Sequence, residues 1–506
     1  MSDFGLGKSS IRNLQSAIRN PLVLILLLGF LVRLATIGYG TNVDEGDYLM
    51  QGREIIHGHF PYRDVHVNKP PLVSLLAAPF FCFSETPVIP ARLFMILFST
   101  SSLWAAAWLG RLTMNERAGL IAAGFLAFDP FAAVWAKPLH VSTLAPGLAL
   151  WTLALWVHGL QQRQTRALIL AGVMASLALL NKQTSVTLLP LLILFYGITR
   201  KQCSFATAWK RFCLGVVPLP LFVLAAITIL GAWDAFVYDI YTGNLVMASF
   251  FQDTAIMRWR DFLSVEFYNP AAWRFSLLGI LAVLFARRAS VMILALWLLM
   301  EFWLNVFGLS HLWTHYVLAI MPPAYLLAGF GLSWGISRLA WLEAKWRPWY
   351  SVILVLLLTV PFWPRANWAY PNLTLHDEQA LAAFIQRNCA SSYLLCFADS
   401  SFYFWTGKQV PPSVRGDHIT RIPTFMNTAG RKYLTLEDMK KTVEGWKALP
   451  MDLCVMYPKY YQQIFLDRDP QVEPVRIFLE QEFGPPQSIE TAPTYYAQLI
   501  YFKRKG

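Results

Sequence analysis

Long apolar runs separated by short polar segments fill the first 364 residues of the chain. A helix that crosses a membrane needs about 20 apolar residues, and fewer where neighbouring helices anchor its ends. The pattern predicts an α-helical polytopic membrane domain over residues 1–364, with about eleven transmembrane helices. The predicted spans are residues 21–39, 91–110, 118–135, 141–158, 167–181, 183–199, 212–231, 272–286, 289–308, 316–337 and 350–364.

The basic residues indicate how these spans are oriented, because positive charge is retained on the cytoplasmic side during insertion. Lys and Arg fall in alternate connections when the N-terminus is placed inside. An odd number of spans then puts the C-terminal segment outside, together with loops 40–90, 232–271 and 308–315. Residues 21–39 lack a following small-residue cleavage site and are interpreted as a retained helix. We predict a multi-pass protein of the plasma (inner) membrane with a cytoplasmic N-terminus.

Beyond residue 364 the apolar runs shorten to strand length and alternate with amphipathic helical patterns. Residues 365–506 therefore predict a soluble, extracytoplasmic C-terminal α/β domain. Its predicted elements are helices 376–388 and 436–448 and strands Leu394–Phe397, Met451–Met456 and Gln498–Phe502.

Composition supports a membrane protein and argues against a nucleic-acid-binding one. Hydrophobic residues make up 56% of the chain and charged residues 14%, and the net charge is +12. The basic residues are scattered between apolar runs, as topology-setting charge is, so no nucleic-acid partner is predicted. The six cysteines form no CxxC pair, and the three in the C-terminal part allow either one disulfide or buried free thiols.

The first outer loop, residues 41–72, is dense in charged residues directly after a predicted span. A solvated loop is the simplest interpretation of such density. However, Asp44 and Glu45 come at the very end of the span, and Lys69 leads through two prolines into an apolar stretch, residues 72–83, that is too short to cross. We expect that stretch to lie along the membrane interface.

This set of charges suits one kind of reaction. Transfer of a sugar from a lipid phosphate to a hydroxyl or an amine needs a carboxylate to take the acceptor's proton. It also needs cations where the phosphate leaves, and these act most strongly in a partly dry site. Asp44 as the base, with Lys69 and an arginine such as Arg53 or Arg63 on the phosphate, satisfies both needs.

Polar residues at other predicted span ends are further candidates. Lys182 is a positive charge on the predicted outer side between two spans, and we weigh phosphate binding evenly against a structural role. For Lys137 and His140, helix capping or headgroup contact is favoured over catalysis. Glu301 is expected to make a buried structural hydrogen bond.

Metal binding is not indicated by the spacing of the candidate ligands. His311 and His315 stand four residues apart, as two ligands on a helix can, but no third ligand is near them in sequence. We therefore predict no metal site and no cofactor, although the proposed chemistry is compatible with a divalent metal. The aromatic and charged loop 232–271 is interpreted as an interfacial lid.

The ordered motifs of residues 21–335 resemble the membrane-embedded GT-C glycosyltransferases. The nearest branch is the bacterial relatives of dolichyl-phosphate-mannose protein mannosyltransferase and of the lipid A aminoarabinose transferase. The matching motifs are Asp44-Glu45-Gly46-Asp47-Tyr48, the run from Gly58 to Asp64, Lys69-Pro70-Pro71-Leu72, Arg33, Asn181-Lys182-Gln183, and His315-Tyr316 before Pro322-Pro323.

The resemblance implies an outer-leaflet cavity, a polyprenyl-phosphate-linked sugar donor and an inverting transfer. It implies that Asp44 is catalytic with Glu45 as its companion, and that Lys69 binds the donor phosphate. Two positions depart from the pattern, because Asp47 replaces an arginine and Asn68 replaces a glutamate. A second phosphate cation must then come from elsewhere, such as Arg53 or Lys182, and Asn68 argues against a metal at that position. The predicted cavity residues are Tyr48, Tyr62, His140, His315 and Tyr316.

The predicted partners are the lipid-linked donor, the bilayer and a glycan, lipid or protein acceptor. Two other functions fit a polytopic chain. A transporter or flippase predicts an internal repeat and helices broken at mid-membrane, and neither is readable in the sequence. A non-catalytic assembly subunit with a partner-binding outer domain is the other alternative.

Overall fold

The computed structural model describes residues 20–65, 67–199, 203–242, 255–266, 270–308, 314–368, 374–397, 401–409, 411, 436–456, 461–466, 473–490 and 498–505. Its N-terminal α-helices are α1 Pro21–Ala35, α2 Val43–Ile56, α3 Leu72–Phe81, α4 Val88–Thr113, α5 Glu116–Phe128, α6 Pro130–Val134, α7 Val141–Gln161, α8 Thr165–Asn181 and α9 Leu188–Thr199. They are followed by α10 Phe205–Val216, α11 Pro218–Ile229, α12 Trp233–Val237, α13 Ala255–Glu266, α14 Pro270–Ala286, α15 Ala289–Phe302, α16 Met321–Arg338, α17 Ala340–Lys345 and α18 Tyr350–Thr359.

Tighter or wider helical turns extend several of these helices. Short 3₁₀ helices cover Gln183–Thr187, Thr314–Ala319 and Val360–Trp368. Wider π turns cover Tyr238–Thr242, Trp303–Gly308 and Gln462–Leu466.

Helical structure lies at each of the eleven segments predicted as spans. Four helices of the described part are long and apolar enough to cross a membrane by length and composition, and the number eleven stays a prediction. They are Val88–Thr113, Val141–Gln161, Phe205–Ile229 and Ala289–Gly308.

Local sequence explains where one predicted span is broken. The stretch predicted over 118–135 forms two helices, because Asp129 ends α5 and its Oδ1 accepts a hydrogen bond from the Ala132 N–H of α6 at 2.7 Å. Pro130 then stands at the first position of α6, where a missing N–H costs nothing.

The membrane helices form one bundle with a continuous core. Helix α7 packs between α4 and α8, and α16 packs between α5 and α14. Small residues permit the closest crossings, as where Gly172 of α8 meets Gly215 of α10. A Cβ on either glycine would collide with a backbone oxygen of the other helix.

The predicted outer loop 40–90 contains helices α2 and α3. Helix α2 was not predicted, because its mean hydropathy is near zero and it bears no long apolar stripe. Asn42 starts it, with its Oδ1 accepting the Glu45 N–H at 2.7 Å. Helix α3 coincides with the stretch 72–83 expected at the interface.

The C-terminal unit, defined here as the described residues from 374 to 505, contains a mixed four-stranded sheet. Its strands are β1 Tyr393–Phe397, β2 Met451–Met456, β3 Gln487–Glu490 and β4 Gln498–Lys503, and its helices are α19 Leu375–Asn388, α20 Ser401–Thr406, α21 Leu436–Lys447 and α22 Glu473–Glu482. The sheet order is β1-β2-β4-β3, with β1 parallel to β2 and the other pairs antiparallel.

Each predicted element of this unit is found at its predicted position, and β3, α20 and α22 are additional. All six cysteines of the chain are free, and those of the C-terminal unit are buried. The alternative of buried thiols, and not the disulfide, therefore describes the structure. Whether residues 365–506 form a separate extracytoplasmic domain stays a prediction.

Candidate active site

The first turn of α2 carries two adjacent carboxylates at the end of the first membrane helix. Asp44 and Glu45 follow the capping residue Asn42, so both lie where a helix N-terminus favours negative charge. Neighbouring residues on a helix point in different directions. The Asp44 side chain is 43% exposed, whereas the Glu45 side chain is fully buried.

Asp44, His140 and His315 converge from three separate parts of the chain. His140 Nε2 lies 3.0 Å from Asp44 Oδ2. The centroids of the His140 and His315 rings are 4.8 Å apart. One nitrogen of each histidine and one carboxylate oxygen of Asp44 all lie within 4.8 Å of one another. The fold therefore brings together the predicted catalytic carboxylate and two predicted cavity residues.

The backbone around His140 determines which nitrogen of its ring carries the proton. His140 is the capping residue of α7, and its Nδ1 accepts the backbone N–H of Ser142 at 3.0 Å. A nitrogen that accepts a hydrogen bond bears no proton, so the neutral ring has its proton on Nε2. His140 therefore donates a hydrogen bond to Asp44, and the cap holds the ring in that orientation.

Two lysines lie beside this cluster. Lys182, in the turn between α8 and the following 3₁₀ helix, is buried with its Nζ 4.3 Å from the centre of the Tyr316 ring. Burial and the neighbouring charge of Lys69 lower the pKa of Lys182 to about 8, against the opposing effect of Glu301. Tyr62, which is buried, donates its O–H to the backbone oxygen of Lys69 at 2.8 Å and so fixes that segment.

His315 is held neutral by the same surroundings. Burial lowers the pKa of its imidazole well below the usual range, and the nearby His140 and the two lysines act in the same direction against Asp44. Glu301, the expected buried hydrogen-bonding residue, accepts from Thr187 Oγ1 at 2.9 Å and from Asn305 Nδ2 at 3.0 Å.

Aromatic side chains form the wall behind Asp44. The Tyr48 and Trp135 rings each lie 5.8 Å from the His140 ring, and Trp135 also lies 5.3 Å from His315. Trp135 was not predicted as a site residue, because a tryptophan at the end of an apolar run is expected at a membrane interface anyway. The arrangement is a half-exposed carboxylate beside aromatic rings, with two lysines nearby.

Part of the chain is similar to a known protein family. Residues 68–227 match the family model for dolichyl-phosphate-mannose-protein mannosyltransferase. No curated protein matches the chain.

Solved structures show the same fold over nearly the whole chain. ArnT from Cupriavidus metallidurans, bound to undecaprenyl phosphate, is 15% identical with a TM-score of 0.58, covering 95% of this chain and 97% of ArnT. AglB, the oligosaccharyltransferase of Archaeoglobus fulgidus, with an inhibitory peptide and a dolichol-phosphate, is 11% identical with a TM-score of 0.53 (95% and 74% covered). The Archaeoglobus fulgidus oligosaccharyltransferase in complex with Zn and sulfate is 12% identical with a TM-score of 0.54, covering 94% of this chain and 72% of that protein.

These matches show that the chain has a fold similar to that of ArnT and AglB, and that residues 68–227 are similar to the mannosyltransferase family. Four of its described helices are long and apolar enough to cross a membrane by length and composition. The sites are assigned from the chain's own residues, since likeness at such low identity shows the fold alone.

Glu45 has a different partner from Asp44. Both of its carboxylate oxygens accept hydrogen bonds from Arg92 of α4, at 2.9 Å from Nε and 2.6 Å from Nη2, and both side chains are fully buried. Arg92 also donates to the backbone oxygens of Ile37, Tyr39 and Gly40. Glu45, predicted as a catalytic companion, thus joins α2 to α4. Arg92 was not predicted as a site residue. Its charge at the start of an apolar run was the feature that could have indicated a buried partner.

Arg53 and Arg63, predicted as phosphate ligands, contact other groups. Arg53 donates to the backbone oxygens of Tyr403, Gly407 and Lys408 in the C-terminal unit, at 2.9 to 3.1 Å. Arg63 is exposed and pairs with the adjacent Asp64 at 2.7 Å. The structure therefore places Lys69 and Lys182, and neither arginine, beside the Asp44 cluster.

The cluster has the donor types of a zinc site but not the required protonation. One carboxylate and two imidazoles are common zinc ligands. A metal on Nε2 of His140 needs a ring whose proton is on Nδ1, whereas the Ser142 N–H already occupies Nδ1. A metal here would break the cap of α7, so the residues as arranged do not fit one. His311, the other half of the weighed histidine pair, lies outside the described residues.

Loop 232–271, predicted as an interfacial lid, is described only in part. Helices α12 and α13 and the π turn between them lie in it, and residues 243–254 and 267–269 lie outside the described residues. The lid therefore stays a prediction.

Proposed function

We propose that this protein is a GT-C glycosyltransferase that transfers a sugar from a polyprenyl-phosphate donor to an acceptor at the outer face of the membrane, with Asp44 as the base. The observation that carries the proposal is a half-exposed carboxylate, oriented by His140, in a cluster of side chains from distant segments with two lysines nearby. The family match and the polyprenyl phosphates bound by ArnT and AglB support this donor class.

In the proposed reaction the acceptor's hydroxyl oxygen, or its amine nitrogen, forms a bond to the anomeric carbon of the sugar. The bond from that carbon to the phosphate oxygen breaks, and the lipid phosphate leaves with the electron pair. Asp44 takes the acceptor's proton, which makes the acceptor more nucleophilic as the bond forms. One displacement of this kind inverts the anomeric configuration.

The neighbouring residues have separate tasks in this reaction. Lys69 and Lys182 neutralise the phosphate, whose charge grows as the carbon–oxygen bond breaks. His140 keeps the Asp44 carboxylate in one orientation by donating to Oδ2, which leaves the proton transfer to Asp44 itself. Neutral His315 adds a hydrogen-bonding group without another positive charge. No step needs a metal.

The proposal is tested by the products. Envelope glycolipids, glycans and glycoproteins of a deletion strain are compared with those of the parent by mass spectrometry. Loss of one sugar from one acceptor is expected, and the purified protein should then release polyprenyl phosphate only when that acceptor is present. Unchanged glycans, together with lipid translocation in proteoliposomes and no glycosylated product, would instead identify a flippase.

Binding of the donor should weaken at alkaline pH because of Lys182. A lysine is cationic below its pKa and neutral above it, so with a pKa of about 8 the Lys182 charge is lost as the pH rises past that value. The donor KM of the native protein should therefore rise between about pH 7 and about pH 9. The measurement is initial rates at varied donor concentration across that range.

Lys182→Arg is the matched variant, because arginine stays charged at every pH in the series. It should remove most of the alkaline rise in KM, whereas Lys182→Met should show a raised KM already at neutral pH. An identical alkaline rise in the native protein and in Lys182→Arg would assign the titration to another group.

A further inference from the structure

The C-terminal unit holds the N-terminal end of α2, the helix that bears Asp44. Glu378 of α19 accepts hydrogen bonds from Thr41, through the backbone N–H at 2.5 Å and through Oγ1 at 2.9 Å. Trp405 Nε1 donates to the other oxygen of Glu378 at 3.1 Å. Both Glu378 and Thr41 are buried, although they are 337 residues apart in the chain.

The backbone reinforces this contact. The N–H of Leu375 donates to the oxygen of Gly38 at 3.0 Å, and Tyr39 pairs with Thr374 as an isolated β-bridge. Thr374 and Asp377 form a reciprocal capping box at the start of α19, which fixes that turn. The segment between α1 and α2 is therefore bound to the first turn of α19.

The same unit holds the other end of α2. Arg53, in the last turn of α2, donates to the carbonyl oxygens that end α20 and follow it. Between the two ends, α20 packs along α2, and Met50 of α2 is part of the hydrophobic core of the C-terminal unit. A helix clamped at both ends and along one face can neither rotate nor slide freely.

We propose that Glu378 and Arg53 are positioning residues of the transfer reaction, an inference that rests on the proposed function. Asp44 lies in the first turn of α2, so its 3.0 Å contact with His140 depends on where that helix sits. A displacement of about 1 Å at a reacting group can cost on the order of 100-fold in rate. The contacts made by the C-terminal unit thus fix the position of the catalytic carboxylate.

The test compares Glu378→Gln with Glu482→Gln in the full-length protein. Gln keeps the size of Glu378 but turns an amide NH₂ towards a neighbouring donor, Thr41 or Trp405. Glu482→Gln makes the same change in α22, where Glu482 pairs with Arg504 of the C-terminal unit at 2.8 Å. Kinetics, thermal unfolding in detergent and amide hydrogen exchange of peptides covering α2 are measured for both variants and for Arg53→Met.

For Glu378→Gln and Arg53→Met we expect kcat to fall about tenfold or more with an unchanged donor KM, since donor contacts are intact while the base is displaced. Exchange in α2 should increase in both. Glu482→Gln should keep native kcat and native exchange in α2, whatever its melting temperature. Thr41→Val in the Glu378→Gln background should add little, because the two residues share one contact.

Native kcat and native α2 exchange in Glu378→Gln and Arg53→Met would overturn the proposal. Equal losses of kcat in Glu378→Gln and Glu482→Gln that follow the fall in melting temperature would also overturn it, because they would indicate general destabilisation. If the native protein shows no transfer, the proposed function fails, and the exchange in α2 alone decides whether Glu378 and Arg53 fix that helix.

Discussion

Replacing Asp44 by Asn is expected to lower the transfer rate by about 10²- to 10⁴-fold, the range of a lost general base. The amide would keep the volume of the side chain, and its oxygen could still accept the His140 N–H. It could not take the acceptor's proton, so the loss should appear in kcat while the donor KM stays near the native value. The measurement is release of polyprenyl phosphate at saturating donor and acceptor, with folding checked by thermal unfolding.

Asp64→Asn is the matched control for this prediction. Asp64 lies in the same outer loop and carries the same charge, but it pairs with the exposed Arg63. It should retain native kcat. If Asp44→Asn kept more than about a tenth of the native kcat, a loss below the range of general-base catalysis, Asp44 would not be the base.

The second large effect is on folding, at the residue next to Asp44. Glu45→Gln should lower the free energy of unfolding by about 3–5 kcal/mol, because it takes the counter-charge from the buried Arg92 guanidinium. Both side chains of the native pair are fully buried. A lower melting temperature in detergent and a smaller yield of monodisperse protein are the expected observations.

Arg117→Met is the control ion-pair variant. Arg117 pairs with Glu343, whose side chain is 45% exposed, so losing this pair should cost no more than about 1 kcal/mol. A Glu45→Gln protein that melts like the native one but transfers no sugar would contradict the structural role and restore Glu45 as a catalytic residue.

The membrane helices were predictable from the sequence, whereas α2 and β3 were not. Hydrophobic run length predicted where the membrane helices lie, because burial in lipid imposes that pattern on every span. It could not predict α2, whose helical state depends on the Asn42 cap and on packing against other elements. Strand β3, with the polar sequence QSIE, was missed for the same reason, since its partner β4 stabilises it.

The candidate site was partly predictable because charge at a span end is costly and therefore conspicuous. Asp44, Lys69 and Lys182 stand out in the sequence for that reason, and the structure places all three in one region. Roles that depend on a distant partner were not predictable. Glu45 is separated from Arg92 by 47 residues, and Arg53 from Tyr403 by 350.

The contacts between the C-terminal unit and α2 also have a consequence for biosynthesis. Thr41 and Arg53 emerge from the ribosome early, whereas Glu378 and the segment around Gly407 are made more than 300 residues later. Contacts that join such distant positions form late, because the intervening chain must first be made and closed into a loop. In a nascent or truncated chain the membrane helices would form without the contacts that fix Asp44, so the protein should become active only once its last segment has folded.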